Sequence, residues 1–192
     1  LFTVKPAQKK IKQQRGKGVH EMATPKEAKQ VLRRFWLETP TWAYGNSGTR
    51  FKVFAQAGVP RDPYEKIADA AQVHKFTGAA PSVALHIPWD KVDDYKHLAD
   101  YAAEQGVRLG TINSNTFQDD DYMLGSVCHP DAKIRQKAVD HLYECIDIMD
   151  KTGAKDIKLW FADGTNYPGQ DDLAGRQDRL AESLRKCYDR LG

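Results

Sequence analysis

Apolar residues recur along this chain with two alternating periods, and the switch between them predicts helices and strands in turn. Thr24-Pro25-Lys26-Glu27 reads as a capping box with proline at the first helical position. Behind it Ala28, Val31, Leu32 and Phe35 fall at helical spacing, and the helix should stop before Pro40. Thr41-Trp42-Ala43-Tyr44 reads as a first strand, followed by the loop Gly45 to Phe51. Asp62-Pro63-Tyr64-Glu65 opens a second helix that carries Ile67, Ala68 and Ala71 inward. A second strand spans Val83 to Ile87, and Pro88 ends it because proline has no N–H to give to a ladder. Asp90 is the expected cap of a third helix with the stripe Tyr95, Leu98, Ala99 and Ala102, closed by Gly106.

The same alternation continues to the end of the chain. Val107 to Ile112 makes a third strand, and a polar loop with Asp119, Asp120 and Asp121 follows. Pro130 starts a long helix with Ile134, Ala138, Leu142, Cys145 and Met149 on one side and Gly153 after its end. A fourth strand runs Ile157 to Phe161, and a last helix carries Leu173, Leu180, Leu184 and Tyr188. Four strands, each followed by a helix, predict an α/β fold with a parallel sheet. Four such units are the first half of a (β/α)₈ barrel. The doubly wound open sheet is the rival, but the first strand lacks the GxGxxG turn of a dinucleotide site. The expected organisation is a lead over residues 1–23 and a half barrel over 24–192.

Charge refines this division. Residues 1–18 carry six basic side chains, Lys5, Lys9, Lys10, Lys12, Arg15 and Lys17, and no acid. Setting those six aside from the 29 Lys and Arg leaves 23 against 26 acids, so the overall +3 conceals a mildly acidic remainder. The basic lead has no interleaved aromatics and no nucleic-acid-binding motif, which favours a solvated tail or helix face over a nucleic-acid contact. No apolar run approaches the roughly 20 residues of a membrane span. Three widely spaced cysteines, Cys128, Cys145 and Cys187, form neither a disulfide framework nor a metal knuckle and point to a reducing cytoplasm. Cys145 sits on an apolar helical stripe and reads as a buried, inert thiol. The chain starts at Leu1 rather than Met and stops within a helical pattern at Gly192, so both ends look cut.

The unusual residues gather after strands. Trp42, His86, Trp89, Asn113, Asn115, Trp160, Asp163 and Asn166 occupy the same topological end of four successive units, which in a barrel is the active-site face. Indoles beside an imidazole and amides suit a small polyol, whose CH faces stack on aromatics while its hydroxyls need fixed partners. Gly45-Asn46-Ser47-Gly48-Thr49 lacks the GK[ST] ending of a P-loop. His141 and Cys145 stand four apart on one helix, but no second pair completes a zinc site. Asp119-Asp120-Asp121 lacks the glycine and glutamate of an EF-hand. No triad, Walker motif, HExxH or poised carboxylate pair accompanies the aromatic residues.

At these residues the chain resembles the L-rhamnose isomerases, in particular the broad-specificity bacterial branch of metal-dependent aldose–ketose isomerases. The matching blocks are Trp42 to Phe51, Leu85 to Lys91, Asn113 to Phe117, Gly125-Ser126 with His129, Glu144-Cys145-Ile146, and Trp160 with Asp163 to Gln170. The resemblance implies an xylose-isomerase-like (β/α)₈ barrel, a tetramer, and two divalent metals, typically Mn²⁺. It implies interconversion of L-rhamnose with L-rhamnulose, and of allose with psicose. Carried over by position, His86 hydrogen-bonds the sugar and helps hold or open its ring, Trp89 and Trp160 form a hydrophobic wall, and Phe51 reaches a neighbouring subunit's pocket. Asn113 joins them as a substrate contact. The metal ligands and a catalytic-site lysine come from strands five to eight in that family, so the resemblance implies that these 192 residues alone isomerise nothing. A related sugar epimerase and a non-catalytic sugar-binding or assembly module are the alternatives.

Overall fold

The computed structural model describes residues 24–48, 52–161, 169 and 171–191. The chain divides after Phe35 into two compact units. In the first, helix α1 spans Pro25–Leu32. It begins as its sequence predicts: Thr24 accepts from the Glu27 N–H, and the Glu27 carboxylate accepts from the Thr24 N–H at 2.8 Å. No residue of α1 is buried, so the stripe of Val31 and Leu32 remains exposed.

The second unit contains β1 (Glu38–Pro40), α2 (Pro63–Thr77), β2 (Ser82–Ile87), α3 (Tyr95–Glu104), β3 (Arg108–Ser114), α4 (Ala132–Thr152), β4 (Asp156–Lys158) and α5 (Leu173–Arg190). The four strands form one parallel sheet in the order β1-β2-β3-β4. Each strand therefore lies beside its sequence neighbour. A doubly wound sheet would reverse direction within its strand order, whereas a barrel adds strands consecutively. The observed order fits the barrel.

Strand β2 is buried along its whole length. Val83, Leu85 and Ile87 enter a core with Ile67, Ala70 and Ala71 of α2 and with Leu98 and Ala102 of α3. Ser82, Ala84 and His86 alternate with them and lie on the opposite face. Each fully buried Leu or Ile stabilises this packing by roughly 2 kcal/mol of desolvation. Between Val83 and Leu85 the register with β3 shifts, pairing Val83 with Leu109 but Leu85 with Ile112. Both Leu109 and Ile112 belong to the core, and His86 pairs with Asn113 beyond them.

A second apolar cluster joins Ala138, Val139, Leu142 and Ile146 of α4 to Val127 and to Cys187 of α5. Helix α5 is fixed as much by polar ties as by apolar contact. Ser183 Oγ donates to the Val127 carbonyl at 2.7 Å, and Arg179 Nε donates to the Cys128 carbonyl at 2.8 Å. Among the described residues, no helix is long and apolar enough to cross a membrane.

Several sequence expectations are corrected. The first strand ends at Pro40, and Thr41–Ala43 form a 3₁₀ turn instead of a strand. The proline's missing N–H and the turn that follows end the ladder earlier than the apolar pattern suggests. Asp94, not Asp90, caps α3, accepting from the His97 N–H at 2.9 Å. Asp131 caps α4, so the helix starts at Ala132 rather than Pro130. Strand four covers Asp156–Lys158 only and ends before Trp160 and Phe161. On α5 the buried positions are Ser183 and Cys187, while Leu173 and Tyr188 are exposed. Leu180 and Leu184 share the face of Ser183 and Cys187 and are half-buried, with Leu180 packed on the second cluster, so only the two ends of the expected stripe fail.

Candidate functional site

The mouth of the sheet is built from four consecutive connections. His86 is the penultimate residue of β2, and Trp89 lies in the turn after the cis Ile87–Pro88 bond. The 3₁₀ turn after β1 delivers Trp42, the segment after β3 delivers Phe117 and Gln118, and the segment after β4 delivers Trp160.

These rings touch in sequence. The His86 imidazole stacks on Trp89 with centroids 3.6 Å apart and planes inclined by 17°. Trp42 meets both edge-on, at 5.5 Å from His86 and 6.4 Å from Trp89. Phe117 stands at 6.0 Å from His86, 6.5 Å from Trp89 and 4.6 Å from Trp160. Five rings thus make a continuous surface in which the three indoles stay exposed while the imidazole is buried.

Polar ties hold this surface. Trp89 Nε1 donates to Gln118 Oε1 at 3.0 Å, and Asn115 Nδ2 donates to the same oxygen at 2.5 Å. Asn115 Oδ1 accepts from the Gln118 N–H at 3.2 Å. His141 of α4 accepts from the Asn115 N–H on Nε2 at 3.0 Å and faces Glu144 Oε2 through Nδ1 at 3.2 Å. Its Nδ1 is therefore the protonated nitrogen, donating to the carboxylate. Asn113 Nδ2 donates to the Leu85 carbonyl at 3.0 Å, so part of its side chain is spent bracing β2.

His86 is unlike its neighbours. Its Nδ1 is buried and has no hydrogen-bond partner among the described residues. Burial, above all, pushes its pKa down to about 4; Asp90 opposes this, while His141 and Lys66 add to it. The ring is therefore neutral near pH 7. Cys145, by contrast, is inert as its position suggests: burial pushes its thiol up to about 12.

The structure thus brings His86, Trp89 and Trp160 together with Trp42, and places Asn113 beside His86 on the neighbouring strand. Phe51, Asp163 and Asn166 lie outside the described residues. Sequence reading assigned no role to Phe117 or Gln118, which link the β2 and β4 mouths. The available signal was their place two and three residues after Asn115, in the same strand-end segment. Among the described residues no three His, Cys, Asp or Glu side chains converge as a metal site would require. The described residues therefore do not fit the divalent metals that the resemblance implies.

No family model matches the chain. It is 40% identical over 162 residues to a probable sugar isomerase of Mesorhizobium japonicum, covering 82% of this chain and 37% of that protein. It is 36% identical over 165 residues to a probable sugar isomerase of Rhizobium meliloti, covering 83% of this chain and 38% of that protein. The chain spans less than two fifths of the length of these curated relatives. Among solved structures, an L-ribulose 3-epimerase superposes with a TM-score of 0.56 at 14% identity, over 82% of this chain and 46% of that one. The fold is that of the xylose-isomerase-like TIM-barrel sugar epimerases, represented by four βα units.

Proposed function

We propose that this chain forms the sugar-stacking wall of a metal-dependent sugar isomerase of the L-rhamnose isomerase type. The observation that carries this reading is the five-ring surface around a buried, neutral His86 whose Nδ1 lacks a partner among the described residues. The exposed faces of Trp42, Trp89 and Trp160 suit the CH faces of a pyranose or an open-chain sugar. A buried unpartnered polar atom is costly unless a ligand meets it, and a sugar hydroxyl or ring oxygen can do so. Two relatives described as probable sugar isomerases support the substrate class.

In this reading His86 binds the sugar by one hydrogen bond without carrying charge, which suits holding or opening a ring better than attracting an anion. Trp89 and Trp160 exclude water from the sugar's apolar face, Asn113 lines the same face beside His86, and Phe51 completes the pocket of a neighbouring subunit in an oligomer. The complete protein draws its divalent metal ligands from outside the described residues. Held there, a divalent metal would supply polarisation of the sugar's carbonyl and hydroxyl oxygens.

The L-ribulose 3-epimerase likeness keeps a second reading alive, in which the same wall serves a ketose epimerase. The test is to assay the complete protein with Mn²⁺ on L-rhamnose and, separately, on ketoses. L-rhamnulose formation supports the isomerase, whereas a C3-epimerised ketose with no aldose consumption favours the epimerase. Turnover of neither, with tight sugar binding in chelator, would leave the non-catalytic binding module.

A further inference from the structure

Asp90 is fully buried beneath the aromatic surface, although it caps no helix. Its Oδ2 accepts from Thr41 Oγ1 at 2.5 Å and from the His86 N–H at 2.8 Å. Its Oδ1 accepts from Lys66 Nζ at 2.7 Å. The Asp90 N–H in turn donates to the His86 carbonyl at 2.8 Å, so residues 86 and 90 are tied in both directions. Each partner belongs to a different part of the fold: Thr41 opens the turn that carries Trp42, Lys66 lies on α2, and His86 stands one residue before the end of β2. Burying two opposite charges contributes little net stability, because desolvation offsets their attraction. What such a knot supplies is geometry.

We propose that Asp90 is the positioning residue of the candidate sugar site, fixing Trp42, His86 and Trp89 relative to one another through Thr41, Lys66 and the His86 amide. Thr41 and Asp90 are the chain neighbours of Trp42 and Trp89, so one carboxylate sets the origin of both indoles. The stacked and edge-on arrangement is thereby present before a ligand arrives, which lowers the ordering cost of binding. This inference rests on the sugar-site reading for its purpose, but its geometry can be tested without sugar. The charged or titratable groups facing His86 are Asp90 from the turn, Lys66 from α2 and His141 from α4; Trp42, Trp89 and Phe117 present uncharged rings.

The experiment uses the complete protein and the variants Lys66→Met, Asp90→Asn, Thr41→Val and Thr41→Ser. The His86 imidazole is titrated by NMR, and L-rhamnose affinity is measured by calorimetry. Lys66→Met should raise the His86 midpoint above its value of about 4, since Asp90 then faces the ring unopposed. Asp90→Asn should not raise it, because the group that favours the imidazolium is gone. Asp90→Asn and Thr41→Val should weaken L-rhamnose binding on the order of tenfold, with Thr41→Ser restoring it. Unchanged affinity in Asp90→Asn and Thr41→Val overturns the proposal. So does a rise in both Lys66→Met and Asp90→Asn toward 6.5, the mark of a site that has merely loosened. If the parent binds no L-rhamnose, the sugar reading falls. The titrations then decide alone: a rise in Lys66→Met only upholds the tie between Asp90 and His86, and a rise in both overturns it.

Discussion

The two ends of strand β2 place a polar side chain on the same face of the sheet, and they treat it in opposite ways. At the start of the strand, Ser82 Oγ donates to Glu38 Oε2 at 2.6 Å. Gly110 of β3 leaves the space for this pair, since a Cβ there would overlap both the carboxylate and the hydroxyl. Four residues later, His86 Nδ1 has no partner among the described residues, and aromatic rings surround the imidazole. One end spends its polarity on itself, and the other withholds it. The satisfied hydroxyl at the start of β2 is a brace, whereas the imidazole at its loop end is where the proposed sugar would meet the strand.

The largest effect is expected at the braced end. Gly110→Val should destabilise the protein by about 3 kcal/mol through overpacking against Glu38 and Ser82, read as a shifted denaturant midpoint. A fully stable Gly110→Val protein would mean that the lower end is loosely packed, and the contrast would fail. At the open end, Trp89→Leu should lower sugar affinity on the order of tenfold, about 1.4 kcal/mol. Calorimetry with L-rhamnose measures this, and unchanged affinity would remove Trp89 from the wall. Ser82→Ala tests the brace more gently. It should cost about 1 kcal/mol of stability for the lost hydrogen bond and leave sugar affinity as it was.

A separate test of the open end lies in pH. The folded His86 pKa of about 4 is below the ordinary 6.5, so the unfolded chain binds the proton more readily. His86 therefore contributes stability above pH 6.5, and that contribution is lost as pH falls toward 4. A His86→Asn variant should show a shallower loss of thermal stability over this interval. An identical slope would indicate that the imidazole is already open to water.

Much of the fold is legible in local chemistry. The Thr24, Asp62 and Gly153 signals recur as helix ends because capping acts within a few residues. Strand β2 is equally plain, since an apolar run stopped by Pro88 has few alternatives. Asp90 is misread for the converse reason. Its partners Thr41 and Lys66 lie 49 and 24 residues away, and no local pattern reports them. The strand assigned to Thr41–Tyr44 fails similarly, because Thr41 is recruited by Asp90 into a turn. In the site, His86 and the indoles stand out as residue types at strand ends. Phe117 does not, and its importance emerges only when β3 and β4 bring it against Trp160.

The register shift in β3 has a consequence for how this strand can change. Two steps along β2 correspond to three along β3, so one surplus residue resets the parity of everything after it. That reset lets Leu109 and Ile112 both join the core and turns Asn113 to the side of His86. Deleting Gly110 or Thr111 would remove that surplus and leave Leu109 and Ile112 two positions apart, which plain alternation already places on one face, with Asn113 still beside His86. The surplus residue is therefore the one position in β3 whose loss leaves the core and mouth residues of the strand on their own faces.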